Sequence, residues 1–365
     1  EPLLKGALAI AEKALGPDHP DLGTSLGNLA GLALAQGDWA QAVDYWRRST
    51  GVIQGRTQRR LAGTAEGSSK GEAKRLNWHF AGLVKTTHRL AMQGRVELDV
   101  QARAMFETAQ WAQGSEAAAS LAQMAARSAK GSPQLSVLVR ERQDLVSEWQ
   151  AKDKLLIATK SEPPAKRNAA SEKVLSDRLA AIDTRVAEID ARLKAEFPDY
   201  AALASPAPLP AEDVQAQLGA DEALVLFLDT DARFKPFLEE TFVWVVTKGA
   251  VRWVWSELGT AALAREVAAL RCGLDATAWY GEGARRCAGL LKLTPDKLPK
   301  PNDPLPFDHA RAHALYKGLF GEVEGLIKGK HLLLVPSGPL TQLPFQVLVT
   351  DKARSDPAGL ASHRN

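Results

Sequence analysis

A run of four consecutive apolar residues near the end of the chain constrains its fold more than any other feature. Residues Leu332 to Val335 follow His331 and precede Pro336. An apolar run of this length, bounded by turn residues, predicts a strand that is buried on both faces, as in a parallel sheet. The proline ends the strand because it has no N–H to donate. The sequence therefore predicts an interior strand of an α/β layer.

The residues after this strand predict a turn that returns to the core. Ser337, Gly338 and Pro339 have the composition of a turn, and Leu340 and Phe345 are apolar residues that would pack against the sheet. The run LVPSGPLTQLPFQVL resembles the signature of the CHAT domain, a caspase-like and separase-related module that usually follows tetratricopeptide repeats.

This resemblance implies a cysteine peptidase fold in which a catalytic histidine and cysteine come after the signature. The sequence begins at Glu1 without methionine and ends at Asn365, soon after the signature. We therefore interpret it as an internal fragment and expect the catalytic pair beyond residue 365. For this chain we expect no catalytic, cofactor-binding or metal-binding residue, and no peptidase activity.

Further strands and helices precede the signature. Alternating and apolar patterns predict strands at Ala223–Leu228, Thr241–Thr247 and Val251–Trp255. A tight turn at Lys248-Gly249 would pair the last two and bring their aromatic residues onto one face: Phe242, Trp244, Trp253 and Trp255. Helical patterns follow at Thr260–Leu274 and His309–Lys328, and Pro295–Pro306 is predicted to be a loop.

Residues 199–365 are predicted to form one incomplete α/β layer with helices on its faces. The proline-rich stretch Ser205–Pro210 marks its boundary with the preceding helices. The runs FPDYAAL, EALVLFL and FVWVVT in this region also resemble the N-terminal part of a CHAT domain.

The first residues show a self-match at an offset of about forty residues, a period that is typical of repeat arrays. Residues 3–7 align with residues 45–49, and a helix-breaking cluster, Leu15–Asp21, lies between them. Apolar spacing predicts one helix over Leu22–Gln36 and a second over Trp39–Gln54, with the small Ala42 and the large Trp46 packed between helices.

The loop LGPDHPD and the run NLAGLALAQGDWAQAVDYWRRST resemble tetratricopeptide repeats of the kinesin-light-chain type. We assign these repeats, the first one partial, to residues 1–54. The resemblance implies stacked helix pairs whose concave face binds a protein or peptide partner. His19 matches the loop of this pattern, so we interpret it as a structural residue and not as a catalytic or metal-binding one.

Residues 55–132 are predicted to contain a linker and further helices of the array. Gly55–Gly71 is rich in glycine, serine and threonine, which favours a flexible surface connection, and Glu72–Ala129 has helical spacing. Basic residues cluster in and after the linker: Arg56, Arg59, Arg60, Lys70, Lys74 and Arg75. A solvated loop is the first interpretation. A nucleic-acid-binding patch is the alternative, although only Trp78 and Phe80 lie nearby to stack on bases.

Residues 133–198 are predicted to form a long antiparallel helical hairpin. Ser136–Thr159 and Val174–Phe197 both have helical apolar spacing, and the second alternates steps of four and three residues, as in a coiled coil. Pro163-Pro164 would turn the chain between them. The hairpin is interpreted as an intramolecular spacer, with a dimerisation arm as the alternative.

Composition excludes few function classes. The 46 Lys and Arg residues nearly balance 43 Asp and Glu residues, so no strong net charge argues for nucleic acid or anionic membranes. No stretch has the length of a membrane-spanning helix, and no secretory leader is visible. The two cysteines, Cys272 and Cys287, suggest neither a disulfide framework nor a zinc site, which favours a reducing compartment, the cytoplasm.

The chain contains several candidate reactive residues that we do not expect to be catalytic. The caspase-like order is histidine before cysteine, whereas His309, His313 and His331 follow both cysteines. His309 and His313 could share a helix face as metal ligands, but a third ligand is missing from the pattern. Ser337 lacks the GxSxG context of a nucleophile, and Gly281-Glu282-Gly283 lacks the lysine of a phosphate-binding loop.

The sequence therefore predicts a multidomain protein, with an all-α N-terminal half followed by an incomplete α/β caspase-like CHAT domain. The first functional hypothesis is a fragment of a caspase-like cysteine endopeptidase whose repeats bind a partner protein. The second is a non-enzymatic scaffold that binds a partner through its repeats and carries a structural or degenerate CHAT module.

Overall fold

The computed structural model describes residues 2–15, 19–61, 75–114, 132–204, 208–300 and 303–351. The chain divides into two compact units. The first, called the helical unit, comprises Glu1–Glu97 and Glu107–Leu209, and the second, called the sheet unit, comprises Leu98–Phe106 and Pro210–Asn365. The alanine-rich run Ala117–Ala126, which was predicted to be helical, lies outside the described residues.

The helical unit begins with three helices, α1 (Pro2–Leu15), α2 (Pro20–Ala35) and α3 (Trp39–Leu61). Helix α2 begins after His19, whose Nδ1 accepts a hydrogen bond from the N–H of Asp21 at 3.2 Å. As predicted, Ala42 and Trp46 are fully buried, because the small alanine lets neighbouring helices approach while the indole fills the space beside it.

The predicted linker at Gly55–Gly71 is wrong in its first part. Helix α3 continues to Leu61, so residues 55–61 are helical, and residues 62–74 lie outside the described residues. Arg56 is only 3% exposed, so tertiary packing stabilises this part of the helix. The local composition alone does not predict that packing.

Two further helices follow, α4 (Trp78–Met92) and α5 (Leu98–Gln113). Helix α4 is buried on nearly all sides, including polar residues such as His79, Lys85 and His88. Ser49 of α3 donates a hydrogen bond to the carbonyl of Gly23 at 2.8 Å, and its Oγ lies 2.6 Å from Nδ1 of His79. This buried contact joins α2, α3 and α4.

The predicted helical hairpin is present as α6 (Pro133–Lys160) and α7 (Ala169–Glu196), followed by the short α8 (Pro198–Ala204). Ion pairs Glu141–Arg185 and Glu148–Arg178 show that the two helices run antiparallel, because the residue numbers rise along one helix and fall along the other. The seam is apolar and includes Leu138, Trp149, Ile182 and Ile189.

The end of the hairpin near its turn is attached to the first helix. Lys160 Nζ donates to the carbonyl of Leu15 at 2.9 Å, and Arg167 donates to the carbonyl of Ala14 at 3.0 Å. Two cations therefore lie at the C-terminus of α1, where the unpaired carbonyl groups of a helix favour positive charge.

The sheet unit contains a four-stranded mixed sheet in the order β3-β2-β1-β4. Its elements, after helix α9 (Ala211–Gln217), are β1 (Glu222–Asp229), β2 (Thr241–Thr247), β3 (Val251–Ser256), α10 (Thr260–Cys272), α11 (Glu282–Leu291), α12 (His309–Phe320), α13 (Glu324–Ile327) and β4 (His331–Val335). Strands β1, β2 and β3 are antiparallel neighbours, and β4 pairs parallel to β1.

The predicted aromatic face of the β2–β3 hairpin is confirmed. Trp244 pairs with Trp253, and Phe242 pairs with Trp255. The indole rings of Trp244 and Trp253 stack with their centroids 5.4 Å apart. A cross-strand aromatic pair of this kind contributes beyond the area that it buries.

Helical residues cover both faces of the sheet. On one face, Val225 and Phe227 of β1 pack in a core with residues of α10 and α12, including Leu270 and Leu315. On the other face, Trp244 donates its indole N–H to the carbonyl of Ala102 at 2.9 Å. Ala102 lies in Leu98–Phe106, the first part of α5, which belongs to the sheet unit.

The prediction that β4 is buried on both faces is wrong. The strand forms as predicted, but it occupies one end of the sheet, and Leu332 and Leu333 are 38% and 46% exposed. Among the described residues, only β1 pairs with it. Apolar composition indicated a strand but could not establish how many neighbours the strand has.

Two helices of the sheet unit also differ from the sequence prediction. The predicted helix His309–Lys328 stops at Phe320 and resumes at Glu324, after a 3₁₀ turn over Gly321–Val323. Helix α11 was not predicted, because it is only ten residues long, shorter than the stretch over which helical periodicity is recognised. It matters for the site described next because it carries Cys287.

Candidate functional site

The carboxyl ends of the parallel strands β1 and β4 are neighbours, and the last residue of β1 forms a hydrogen-bonded cluster with the turn after β4. Asp229, the last residue of β1, donates its backbone N–H to Ser337 Oγ at 3.0 Å. The Ser337 hydroxyl in turn donates to Asp229 Oδ1 at 2.6 Å. Thr260, at the start of α10, donates its hydroxyl to Asp229 Oδ2. We call Asp229, Ser337 and Thr260 the Asp229 cluster.

Gly338 completes the cluster through its backbone. Its φ of +46° lies in the left-handed region, and a Cβ there would meet Asp229 Oδ2 at 2.5 Å. Only glycine avoids both the strain and the contact. The turn after β4 is therefore held close to the carboxylate, which explains in physical terms why glycine occupies this position.

The Asp229 cluster has the geometry of a support and not of a nucleophile. The Ser337 hydroxyl proton is directed to a carboxylate that is itself held by Thr260, and Ser337 is buried. A serine nucleophile would instead present its Oγ to substrate with a base able to take its proton. The cluster does lie at the carboxyl ends of parallel strands, which is where open α/β sheets bind ligands.

The two cysteines form a disulfide, which corrects the prediction of unpaired thiols. Cys272 at the end of α10 and Cys287 in α11 are bonded, with their Cα atoms 5.6 Å apart. Neither residue is a free thiol in this structure, so neither is available as a nucleophile. The sequence argument for a reducing compartment loses its basis, since it assumed unpaired cysteines.

A cavity of about 550 Å³ lies beside this disulfide. Both cysteines line it, together with small residues of α10, the charged residues Arg271, Asp275 and Arg286, and Gly338-Pro339 of the turn after β4. The cavity thus reaches from the disulfide to the turn that contacts the Asp229 cluster. Sequence reasoning missed it, because it depends on α11 and on the pairing of two cysteines 15 residues apart.

The histidines that the sequence singled out do not come together. His313 Nδ1 lies 3.0 Å from the carbonyl of Val349, and the His309 ring packs edge-on against Phe307. His331 begins β4, at the opposite end of the strand from Ser337. In the described ranges, no group of three or more histidine, cysteine, aspartate or glutamate residues could hold a metal ion.

One member of the basic cluster of the predicted linker is buried in the fold. Arg56 is buried and pairs with Asp153 of α6, with 3.0 Å between the guanidinium nitrogen and the carboxylate oxygen. Phe80, one of the two aromatics that could have stacked on bases, is also buried. Lys70 and Lys74 lie outside the described residues. The described part of the cluster therefore offers no basic patch centred on Arg56.

In the helical unit, α2 presents a polar face to solvent. Asp21, Thr24 and Asn28 are exposed and recur at three- and four-residue steps, which places them on one side of the helix. His19, at the start of this face, is buried, and burial lowers its pKa from 6.5 although Asp21 opposes the shift. Its structural role as the residue that caps α2 agrees with the sequence interpretation.

A smaller cavity of about 400 Å³ lies among the first three helices. Leu22, Leu26 and Val52 line it, and Glu12 and Arg48 form an ion pair at its edge. This cavity is mainly apolar, with one charged pair.

Helices that could cross a bilayer are absent from the described residues, where none combines sufficient length with sufficient apolar character.

Comparison with protein families finds one match. The model described as "Tetratricopeptide repeat" matches residues 1–52, which cover α1, α2 and part of α3. No curated protein and no solved structure matches the chain. The N-terminal helices are therefore similar to tetratricopeptide repeats, a class that typically mediates binding between proteins.

Proposed function

We propose that the N-terminal repeats bind a polypeptide partner through the exposed face of α2. The match of residues 1–52 to tetratricopeptide repeats carries this proposal. The polar side chains of Asp21, Thr24 and Asn28 support it, since they are exposed while the opposite side of α2 is buried. Side-chain amides and hydroxyls on a rigid helix can hydrogen-bond to the backbone of an extended peptide.

Selection from a random peptide display library against the whole chain tests this proposal. Enriched peptides should bind the wild-type chain. Their affinity for an Asn28→Ala, Thr24→Ala double variant should be at least about tenfold lower, because each lost hydrogen bond costs about 1 kcal/mol. Gln36→Ala, an exposed change at the end of the same helix, is the matched control. Equal affinity of the selected peptides for all three proteins would contradict the proposed surface.

As a second candidate, we propose that the sheet unit is the N-terminal part of a caspase-like CHAT module, whose catalytic histidine and cysteine lie beyond residue 365. Three observations support it: the signature-like sequence after β4, the parallel pairing of β1 with β4, and the exposed Leu332 and Leu333 on an edge where a further strand could pair. Here the Asp229 cluster would support the carboxyl edge of the sheet.

Peptidase assays separate this second candidate from a non-enzymatic scaffold. The chain itself should show no thiol-dependent peptide hydrolysis, because the proposed catalytic histidine and cysteine are not among its 365 residues. Translation of the parent reading frame past Asn365 should reveal a strand ending in histidine and another ending in cysteine, and the extended protein should lose hydrolysis when that cysteine is replaced. If these two residues are missing, the scaffold interpretation is correct and the peptidase proposal fails.

We retain the domain boundaries and the compartment from the sequence as proposals. The four segments are residues 1–54, 55–132, 133–198 and 199–365, although helices α3 and α8 cross the first and last of these boundaries. The proposed compartment is the cytoplasm. Disulfides in the cytosol of mesophiles are usually transient, catalytic or redox-sensing. A cytoplasmic location therefore requires that the Cys272–Cys287 bond exchange with cellular thiols.

A further inference from the structure

The Cys272–Cys287 disulfide is buried, yet it lines an open route for a small reagent. Each cysteine is 3% exposed, while both line the cavity of about 550 Å³ beside α10 and α11. A cavity of this volume is within the range that holds small-molecule ligands. A protein surface could not reach the sulfur atoms, but a small molecule in the cavity could lie beside them.

The charged residues of this cavity favour an anion. Arg271 and Arg286 carry two positive charges against the single negative charge of Asp275, a net charge of +1. Arg271 is already engaged, since it donates to the carbonyl of Gln342 at 3.2 Å and lies 3.9 Å from Asp275. Arg286 is exposed and has no hydrogen-bond or ion-pair partner among the described residues. It is therefore the cation that is available to an incoming ligand.

We propose that this cavity admits an anionic low-molecular-weight thiol of the glutathione class, which opens the Cys272–Cys287 bond by thiol–disulfide exchange. The thiolate attacks one of the two sulfur atoms and forms a mixed disulfide with it. The electron pair of the broken bond stays on the other cysteine, which then takes up a proton. A second thiolate attacks the mixed disulfide and releases the second cysteine. In total, two thiols are oxidised to one disulfide, and the protein disulfide is reduced to two thiols.

Opening the bond removes a covalent link between the end of α10 and the middle of α11. The hydrogen bond from the Trp279 indole N–H to the carbonyl of Cys272, at 2.7 Å, still joins the 3₁₀ turn Ala276–Trp279 to the end of α10. Because Gly338 and Pro339 form part of the same cavity wall, the exchange changes the surroundings of the turn that supports the Asp229 cluster. The cavity is thus a redox modification site, independent of the proposed functions.

The rate of reduction of the native 365-residue chain tests this proposal. Its cysteines are the two in the disulfide, so maleimide labelling after acid quenching reports the bond directly. Glutathione, neutral 2-mercaptoethanol and cationic cysteamine are compared after correction for the thiolate fraction of each. Glutathione should react fastest and cysteamine slowest, and mass spectrometry should detect the glutathione adduct of one cysteine as an intermediate.

Arg286→Ala should lower the glutathione rate about two- to fivefold, the range expected for a partly exposed ion pair, and leave the 2-mercaptoethanol rate unchanged. Arg285→Ala is the matched control, since Arg285 is its exposed neighbour on α11 but does not line the cavity, and it should leave both rates unchanged. The proposal is overturned if the bond is reduced only in denaturant, if the three thiols show no charge dependence, or if both variants slow glutathione equally.

Discussion

The Ser337 hydroxyl donates a hydrogen bond to Asp229 Oδ1 at 2.6 Å, and the same Oγ accepts one from the Asp229 backbone N–H at 3.0 Å. One buried side chain therefore joins the turn after β4 to the end of β1, between two residues that are 108 positions apart in sequence. This reciprocal pair of hydrogen bonds holds the turn after β4 against the end of β1. It fixes the carboxyl end of β4 without the help of any further strand.

Replacing Ser337 with alanine should lower the free energy of unfolding of the sheet unit by about 1–3 kcal/mol. The change leaves a buried backbone N–H and a carboxylate oxygen without this partner. Denaturant unfolding followed by tryptophan fluorescence measures the loss. Glu257→Ala, an exposed change in the same unit, should remain within about 0.5 kcal/mol of wild type. Equal stability of the two variants would show that the pair contributes nothing.

Two glycines one turn apart on α2 should respond to alanine in opposite directions. A Cβ at Gly27 would lie 2.3 Å from Cε1 of the buried His79, whereas a Cβ at Gly31 would have no atom within 4 Å. Gly27→Ala should therefore cost about 1–3 kcal/mol through overpacking. Gly31→Ala should be neutral or stabilise by up to about 1 kcal/mol through helix propensity. Thermal unfolding by circular dichroism measures both, and a destabilised Gly31→Ala with a stable Gly27→Ala would contradict the packing.

Arg56→Ala should be among the most destabilising changes of a charged residue in the helical unit. Arg56 and Asp153 are 3% and 9% exposed, so the variant leaves a buried carboxylate without its guanidinium partner, at a cost of about 3–5 kcal/mol. Lys173→Ala breaks an ion pair with Asp177 that is 75% and 63% exposed, and it should cost less than about 1 kcal/mol. Urea unfolding of both variants is the measurement. If Arg56→Ala lost as little as the control, the buried pair would not stabilise the fold.

The stability of the helical unit should fall between pH 6.5 and pH 4 because of His88. Burial, followed by the nearby charges of Arg89 and Lys85, lowers the pKa of His88 from 6.5 to about 4. Above pH 6.5 the ring is neutral in both states, and between these values only the unfolded chain binds the proton. The loss should reach up to about 3 kcal/mol near pH 4.

A His88→Gln variant isolates this contribution, because carboxylates that titrate in the same range are common to both proteins. The unfolding free energy of the variant should depend less on pH between 6.5 and 4 than that of wild type. His331→Gln, at a side chain that is 84% exposed, should keep the wild-type dependence. Parallel pH curves for all three proteins would show that His88 does not titrate as its burial requires.

Sequence reasoning identified the elements whose pattern is local and strong. The hairpin of α6 and α7 follows from long apolar seams, and the pairing of Trp244 with Trp253 follows from alternation and a two-residue turn. Helix α11 was missed, and with it the disulfide and the cavity. It is only ten residues long, which is too short for periodicity to detect. Cysteine pairing depends on a distance between helices that sequence spacing does not contain.

The amino-acid sequence by itself determined where most of the described strands and helices form, the repeat character of the first helices, and the apolar turn after Val335, because these depend on side-chain periodicity and turn chemistry. Only the tertiary structure decided that β4 lies at a sheet edge, that Arg56 is buried against Asp153, and that Cys272 is bonded to Cys287. Each of these depends on which surfaces meet across long separations in the chain. The local sequence pattern does not indicate which distant residue each of these residues will contact.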